Sequence, residues 1–462
     1  MTGVFAVLVL AATAVVRTET GPKSWTEVRL GTDACLAGEA DREIPVYGPG
    51  EDIVFRVRLG GFSGVDTRGF VLEWERTADD GLRETGKAPL GGRGFVYRTR
   101  LDRPGFVRFK GSLKDADGRT VKRMASWGNL QPVECDLGAG VAVDKIRPAV
   151  PAPADFDRFW AERRRILSRV PLAGVKAEAV AENGNVRVFA VTCPSAGPRP
   201  VTGFLSVPVR SGDGIRFPAT AAFAGYNASW SAPSWKRPDA ASFPKDRLHF
   251  AVSAHGFELM REAAYYTRFR DSVKSGGYDY AFDPKQNADP ETAYFSGMSY
   301  RVMRALEYLK SRPEWDGKNL QVTGGSMGGM QAVWGAALDK DVSECTVFIP
   351  WNCDIGGVEA GRNRGDWHLR WVPALGYYDT ANHAARIAGS CKVNVFMAGL
   401  GDYICPPSGV MAFYNSLGCA KSIVFRQNAR HGDFLQPDSV QRISLKSARE
   451  TRGRAAAPRG NP

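Results

Sequence analysis

An alcohol side chain keeps its proton at neutral pH, so a serine attacks a carbonyl only where a base stands ready to take that proton. Gly324-Gly325-Ser326-Met327-Gly328 sets one serine among small residues, the spacing of a sharp strand-to-helix turn that lifts the hydroxyl into the open. So short a pattern is weak by itself, and its flanks decide. Leu320-Gln321-Val322-Thr323 reads as a β-type run ending at the glycines, and residues 329–338 continue as a helical segment. Strand, turn and helix come in the order a nucleophilic serine needs. The bland alternative is a glycine turn that packs a helix closely against a sheet.

The base for such a serine is a histidine, and the chain has five. His249 and His255 precede the serine, His368 sits among Arg364, Asp366 and Arg370 as in a surface loop, and His383 falls in a helical stretch. His431 directly follows a strand candidate at 422–425, at a strand's carboxyl end, where open α/β sheets place their ligand sites. A carboxylate between serine and histidine must fix the imidazole tautomer and stabilise its cation. Of Asp354, Asp366, Asp379 and Asp402, only Asp402 ends an apolar strand, 393–401, and it runs into Cys405-Pro406-Pro407, where prolines can open a helix. The developing oxyanion needs two amide donors. The residue after the nucleophile, Met327, supplies one, and Tyr226, at the end of the strand-to-glycine run Ala221-Ala222-Phe223-Ala224-Gly225, is nominated for the other. These residues predict a two-step acyl transfer, with no cofactor and no metal.

Groups so far apart in the chain need a fold to gather them. From residue 24 to about 145 the apolar pattern has period two: Ile53, Phe55, Val57 and Leu59 alternate with polar or outward positions, as do Phe70, Leu72 and Trp74. Turns at Asp102-Arg103-Pro104-Gly105 and Asp115-Ala116-Asp117-Gly118 separate the strands. The expectation is an all-β, Ig-like sandwich over 24–145. Three prolines in 147–153 make 146–153 an extended linker, after which Phe156, Phe159, Trp160 and Ile166 take helical spacing, with Asp155 placed to cap. Strand and helix candidates then alternate over 154–440, which predicts an α/β architecture with a mostly parallel sheet. Residues 441–462, basic and without apolar period, are expected to form a disordered tail.

Composition narrows the classes. A chain of 462 residues with 44% hydrophobic content exceeds what one core usually serves. The formal charge of +12 is dispersed along the chain, so no nucleic-acid partner is expected. The longest apolar run, 4–16, stops at Arg17, short of the ~18 residues of a membrane span. With Ala12-Thr13-Ala14 behind it, that run instead predicts a signal peptide within 1–23 and a secreted or periplasmic protein, although no basic residue precedes it. The eight cysteines show no metal-like spacing. Cys35 and Cys135 could bridge the first domain or stay separate thiols, and the sequence leaves both open, as it does an oligomer.

Further stretches narrow the reading. Asp155-Phe156-Asp157-Arg158-Phe159-Trp160, Gly203-Phe204-Leu205-Ser206-Val207-Pro208, Arg312-Pro313-Glu314-Trp315-Asp316-Gly317, Gly399-Leu400-Gly401-Asp402 and Tyr414-Asn415 flank the serine motif in order. Over roughly 153–431 the chain resembles the acetyl xylan esterase and cephalosporin C deacetylase family, carbohydrate esterase family seven. The resemblance implies an α/β-hydrolase fold, removal of acetate from acetylated carbohydrate such as xylan, the set Ser326, Asp402 and His431, and oxyanion donors at Tyr226 and Met327. Three departures stand out. Met327 replaces the family's glutamine, which is expected to make the pocket wall apolar. Ala224-Gly225-Tyr226 stands for His-Gly-Tyr, and His255-Gly256-Phe257 matches Arg-Gly-Gln only loosely. The rival readings are a peptidase or lipase-like esterase using the same residues, and a carbohydrate-binding protein with a decayed catalytic site.

Overall fold

The computed structural model describes residues 30–90, 92, 94–124, 128–209, 214–226, 233–365, 367–436 and 441–447. The expected signal peptide at 1–23 lies outside the described residues.

Ten strands come first: β1 (Cys35–Ala40), β2 (Val46–Tyr47), β3 (Ile53–Gly60), β4 (Val71–Ala78), β5 (Arg83–Pro89), β6 (Phe95–Thr99), β7 (Gly105–Lys114), β8 (Lys122–Met124), β9 (Leu130–Pro132) and β10 (Glu134–Val141). Their alternation follows from one buried face: in β3, Ile53, Phe55 and Val57 are buried while Arg56 and Arg58 are exposed. One sheet has the order β1-β3-β6, a second β2-β10-β7-β4-β5, and β8 pairs with β9. Every pair is antiparallel except β2 with β10. The two larger sheets share a core built around Phe55, Leu72, Val107 and Phe109, where the Phe109 ring centre lies 5.3 Å from Tyr97 and 6.0 Å from Trp74. Cys35 and Cys135 are separate, buried thiols.

No helix or strand occupies 146–153, and the linker is pinned where the Ala149 N–H donates to Asp354 Oδ1 at 2.7 Å. The helix Phe156–Ser168 follows, with Asp155 at its N-cap but not capping through its side chain. That carboxylate instead accepts from Arg158 at 3.0 Å and from the Tyr377 hydroxyl.

Ten more strands form one sheet: β11 (Lys176–Glu182), β12 (Val186–Cys193), β13 (Val201–Pro208), β14 (Phe217–Phe223), β15 (Leu248–Val252), β16 (Trp315–Gly325), β17 (Val342–Phe348), β18 (Lys392–Gly399), β19 (Ala420–Arg426) and β20 (Arg442–Lys446). Their order is β11-β12-β13-β15-β14-β16-β17-β18-β19-β20. The stretch from β15 to β19 is parallel and both margins are antiparallel, which makes the protein α/β. Helices Tyr294–Lys310, Met327–Leu338 and Pro407–Ser416 are almost wholly buried, as expected for helices covering a parallel sheet. Among the described residues no helix is long and apolar enough to cross a membrane.

The expected tail from 441 is corrected. Arg442–Lys446 pairs antiparallel with β19, Ile443 facing Phe425 and Leu445 facing Ile423. Ile443 is fully buried and Leu445 packs on the core, so apolar burial on alternate residues outweighs the basic composition. Residues 448–462 lie outside the described residues.

Candidate active site

Ser326 stands between β16 and the helix Met327–Leu338 with φ 55° and ψ −120°, a backbone conformation that residues other than glycine rarely adopt and that active sites hold by their surroundings. Here the surroundings are backbone. The Ser326 N–H donates to Phe348 O at 3.1 Å, and its carbonyl accepts from Met330 at 3.1 Å and Trp351 at 3.0 Å. The glycines serve close approach: a β-carbon on Gly328 would lie 2.1 Å from Phe223 O, and one on Gly324 2.4 Å from the Gly328 carbonyl carbon.

The structure brings the three residues nominated for acyl transfer together. His431 Nε2 lies 3.0 Å from Ser326 Oγ, and its Nδ1 lies 2.9 Å from Asp402 Oδ2. Asp402 is 1% exposed, and its other oxygen accepts the N–H groups of Ile404 at 3.0 Å and Cys405 at 2.9 Å. With a carboxylate facing Nδ1, that nitrogen carries the proton and Nε2 is left to accept one from serine. Two loops hold these groups in register, since Gly401 N–H donates to Ala429 O at 3.0 Å and Leu400 N–H to Arg426 O at 2.9 Å. The other four histidines have different partners or places: His249 lies on β15, His383 bonds Tyr377 O at 3.0 Å, His255 bonds the Tyr294 hydroxyl at 2.8 Å, and His368 bonds Gly365 O at 2.5 Å.

An open pocket of about 750 Å³ begins at Ser326 and His431, with Phe223, Tyr226, Trp367 and Ile404 among its walls. Tyr226 is locked by Tyr280, which sequence reasoning missed. Their rings stack at 4.0 Å, and each hydroxyl donates to the other's carbonyl oxygen, at 2.9 and 3.1 Å. Burial drives both phenol pKa values upward, so they stay neutral donors. The Tyr280 hydroxyl also reaches Met327 Sδ at 3.5 Å. The expectation for the Met327 side chain is therefore corrected: it is fully buried against Tyr280 and is not among the pocket's lining residues. Its amide begins the helix, where the first N–H groups have no intrahelical partner. Gln331 ties this turn to the Tyr226 loop, donating to Ala224 O at 3.3 Å and Met327 O at 3.2 Å. Trp351 and Trp367, with ring centres 5.1 Å apart, stand beside Tyr226. No periodicity marks these aromatics as neighbours.

Asp402, Cys405 and His431 have potential metal-ligand atoms within 4.8 Å of one another. The donor set fits a cation poorly, because both Asp402 oxygens and both imidazole nitrogens are engaged and burial holds the Cys405 thiol pKa well above its ordinary value.

The chain is similar to known proteins over most of its length. The acetyl xylan esterase (AXE1) family model matches residues 141–360 and 367–447. The acetyl esterase Axe7A of Xylanibacter ruminicola is 23% identical over 378 residues, 78% of this chain and 79% of its own. In fold, the chain is similar to the acetyl xylan esterase of Paenibacillus sp. R4, with a TM-score of 0.52 and 22% identity over 63% of this chain and 94% of that one. It is likewise similar to acetyl xylan esterase 1 of Thermoanaerobacterium sp. JW/SL YS485, with a TM-score of 0.51 and 19% identity over 63% and 93%. Matched over more than half its length, the chain belongs to the acetyl xylan esterase (AXE1) family and is a carboxylic-ester hydrolase.

Proposed function

We infer that the protein is a serine esterase that removes acetyl and other short acyl groups from esterified sugars such as acetylated xylan or its oligosaccharides. The observation that carries this reading is the continuous hydrogen-bond chain Ser326–His431–Asp402 at the mouth of a pocket. His431 Nε2 takes the Ser326 proton as the hydroxyl oxygen attacks the ester carbonyl. The oxyanion is met by the amides of Tyr226 and Met327. The imidazolium, stabilised by Asp402, returns its proton to the sugar oxygen, which departs and leaves acetyl-Ser326. Water, deprotonated by the same histidine, then attacks the acetyl carbonyl, and the imidazolium returns that proton to Ser326 Oγ as acetate leaves. The apolar wall of Phe223 and Ile404 favours a small acyl group, and Trp367 offers a flat face to a sugar ring.

Hydrolysis of p-nitrophenyl acetate by wild type and Ser326→Ala tests the assignment; the variant should lose on the order of 10⁴-fold or more in kcat, and equal turnover refutes it. Acyl esters of increasing length separate this enzyme from a lipase-like one, because a preference beyond butyrate contradicts the deacetylase reading. The two larger sheets before residue 142 support an Ig-like sandwich for the first domain, and the apolar run at 4–16 supports export to the periplasm or beyond. Cell fractionation tests the latter, and a cytoplasmic product refutes it.

A further inference from the structure

Strand β10, before the linker, runs along both loops that bear the reacting side chains. The Gly138 N–H donates to Gln427 Oε1 at 2.7 Å, and the Gln427 amide donates back to Gly138 O at 2.9 Å. The Asp136 N–H donates to Asn428 Oδ1 at 2.8 Å, while Asn428 Nδ2 reaches across to Leu36 O on β1 at 3.1 Å. The backbones all but touch: a β-carbon on Gly138 would lie 2.7 Å from Leu400 O, and one on Gly401 2.6 Å from Asp136 Cβ. Gly401 immediately precedes Asp402.

At the centre of this seam lies the Asp136 carboxylate, fully buried. It accepts from Arg108 at 2.7 and 2.6 Å and from Arg430 Nε at 2.8 Å. Arg430 also donates to Glu134 at 2.6 Å. Two cations and two anions thus balance, and none of the four side chains is more than 25% exposed. Burial works against the Arg108 charge, yet Asp136 more than offsets it and holds the guanidinium pKa above its ordinary value. Arg108 lies over the Tyr403 ring at 4.2 Å. Of the groups that Asp136 gathers, Arg430 adjoins His431 in the chain, and the Tyr403 beneath Arg108 adjoins Asp402.

The brace adds to the loop's own backbone bonds. The loop leaves β19 through Asn428 at φ 51° and turns at Gly432 with φ 85°; within it the Arg430 N–H donates to Asp433 O at 2.8 Å and the Leu435 N–H to Asn428 O at 3.0 Å, and the seam with β10 anchors this turn from outside. A general base has to be held within a fraction of an ångström of its partner, and supporting bonds are what hold it. We propose that the first domain is a working part of the esterase, with Asp136 as a positioning residue that holds the His431 loop in register through Arg430 and Asn428. This rests on the reading of Ser326, His431 and Asp402 given above.

The test uses the full chain. Arg430→Met and Asp136→Asn should each lower kcat for p-nitrophenyl acetate at least tenfold while KM moves less than threefold, and Arg430→Lys should recover part of the loss. Because Asp136→Asn perturbs a buried charge network, Val57→Ala in the β3 core serves as a control: it should lower the melting temperature and leave kcat unchanged. Combining Asp136→Asn with Arg430→Met should cost far less than the product of the two single effects. The proposal is overturned if both variants keep wild-type kcat, or if their losses follow the melting temperature as in Val57→Ala. Full activity of Ser326→Ala instead defeats the nucleophile reading itself, so the two failures are distinguishable.

Discussion

Replacing Gly328 by alanine tests the geometry of the serine turn through one methyl group. The new β-carbon would lie 2.1 Å from Phe223 O and 2.8 Å from the Phe223 carbonyl carbon, where real β-carbons stay beyond 3.0 Å. Both obstructing atoms are backbone, at the end of β14, and cannot rotate away. Relief therefore requires the start of the helix Met327–Leu338 and the end of β14 to separate by about 0.9 Å. That movement parts the Met327 amide from the Tyr226 loop and shifts Ser326 against His431. A misplacement of about 1 Å costs on the order of 10²-fold in rate, which corresponds to about 2.7 kcal/mol of transition-state stabilisation. The stability cost of overpacking is about 1–3 kcal/mol. The assay is kcat for p-nitrophenyl acetate in a folded sample, beside Gly335→Ala, where the nearest atoms are the side-chain ends of Leu306 at 3.2 Å and Val322 at 3.4 Å. Gly335→Ala should keep wild-type kcat, since those ends can move. If Gly328→Ala turns over within threefold of wild type, the account of the turn is wrong.

Asp402→Asn should lower kcat by roughly 10⁴-fold with little change in melting temperature, because an amide oxygen can still accept the Ile404 and Cys405 amides; retained turnover refutes its role. Burial holds His383 near a pKa of about 3, against ~6.5 in the unfolded chain. The unfolded state therefore binds this proton first, so the contribution of neutral His383 is whole above ~6.5 and is lost as pH falls toward 3, at up to about 1.4 kcal/mol per pH unit. Melting temperature against pH should fall less steeply for His383→Gln than for wild type, and an unchanged slope contradicts this. All eight cysteines are buried and none is in a disulfide, and burial raises the pKa of Cys345, Cys353 and Cys405. A thiol reagent should leave the native enzyme active and titrate the eight thiols only on unfolding; rapid inactivation counts against it.

The residues of the candidate site are legible in the sequence because their chemistry is tied to chain position. A serine turn announces itself by its glycines, and His431 and Asp402 each follow an apolar strand of the parallel sheet. What surrounds them is not. Tyr280 meets Tyr226 by ring stacking at 4.0 Å, a contact between loops that leaves no period in the sequence. The Met327 side chain was assigned to the wrong side of the turn, because spacing alone does not tell whether a helix's first residue faces the pocket or the core. β20 was hidden in basic company, although Ile443 and Leu445 do alternate with Arg442, Ser444 and Lys446. Asp136 and Arg430 read as ordinary charges, since the partner of each lies across a seam between distant parts of the chain.

In the proposed mechanism Ser326 carries the acyl group between the two half-reactions. Rapid acid quench of the enzyme with p-nitrophenyl acetate, followed by peptide mass mapping, tests it directly. An added acetyl group is expected on the peptide holding Gly324-Gly325-Ser326-Met327-Gly328, and none in Ser326→Ala. An active enzyme whose acetyl group is found on another residue, or which turns over unimpaired after Ser326 is replaced, would contradict it.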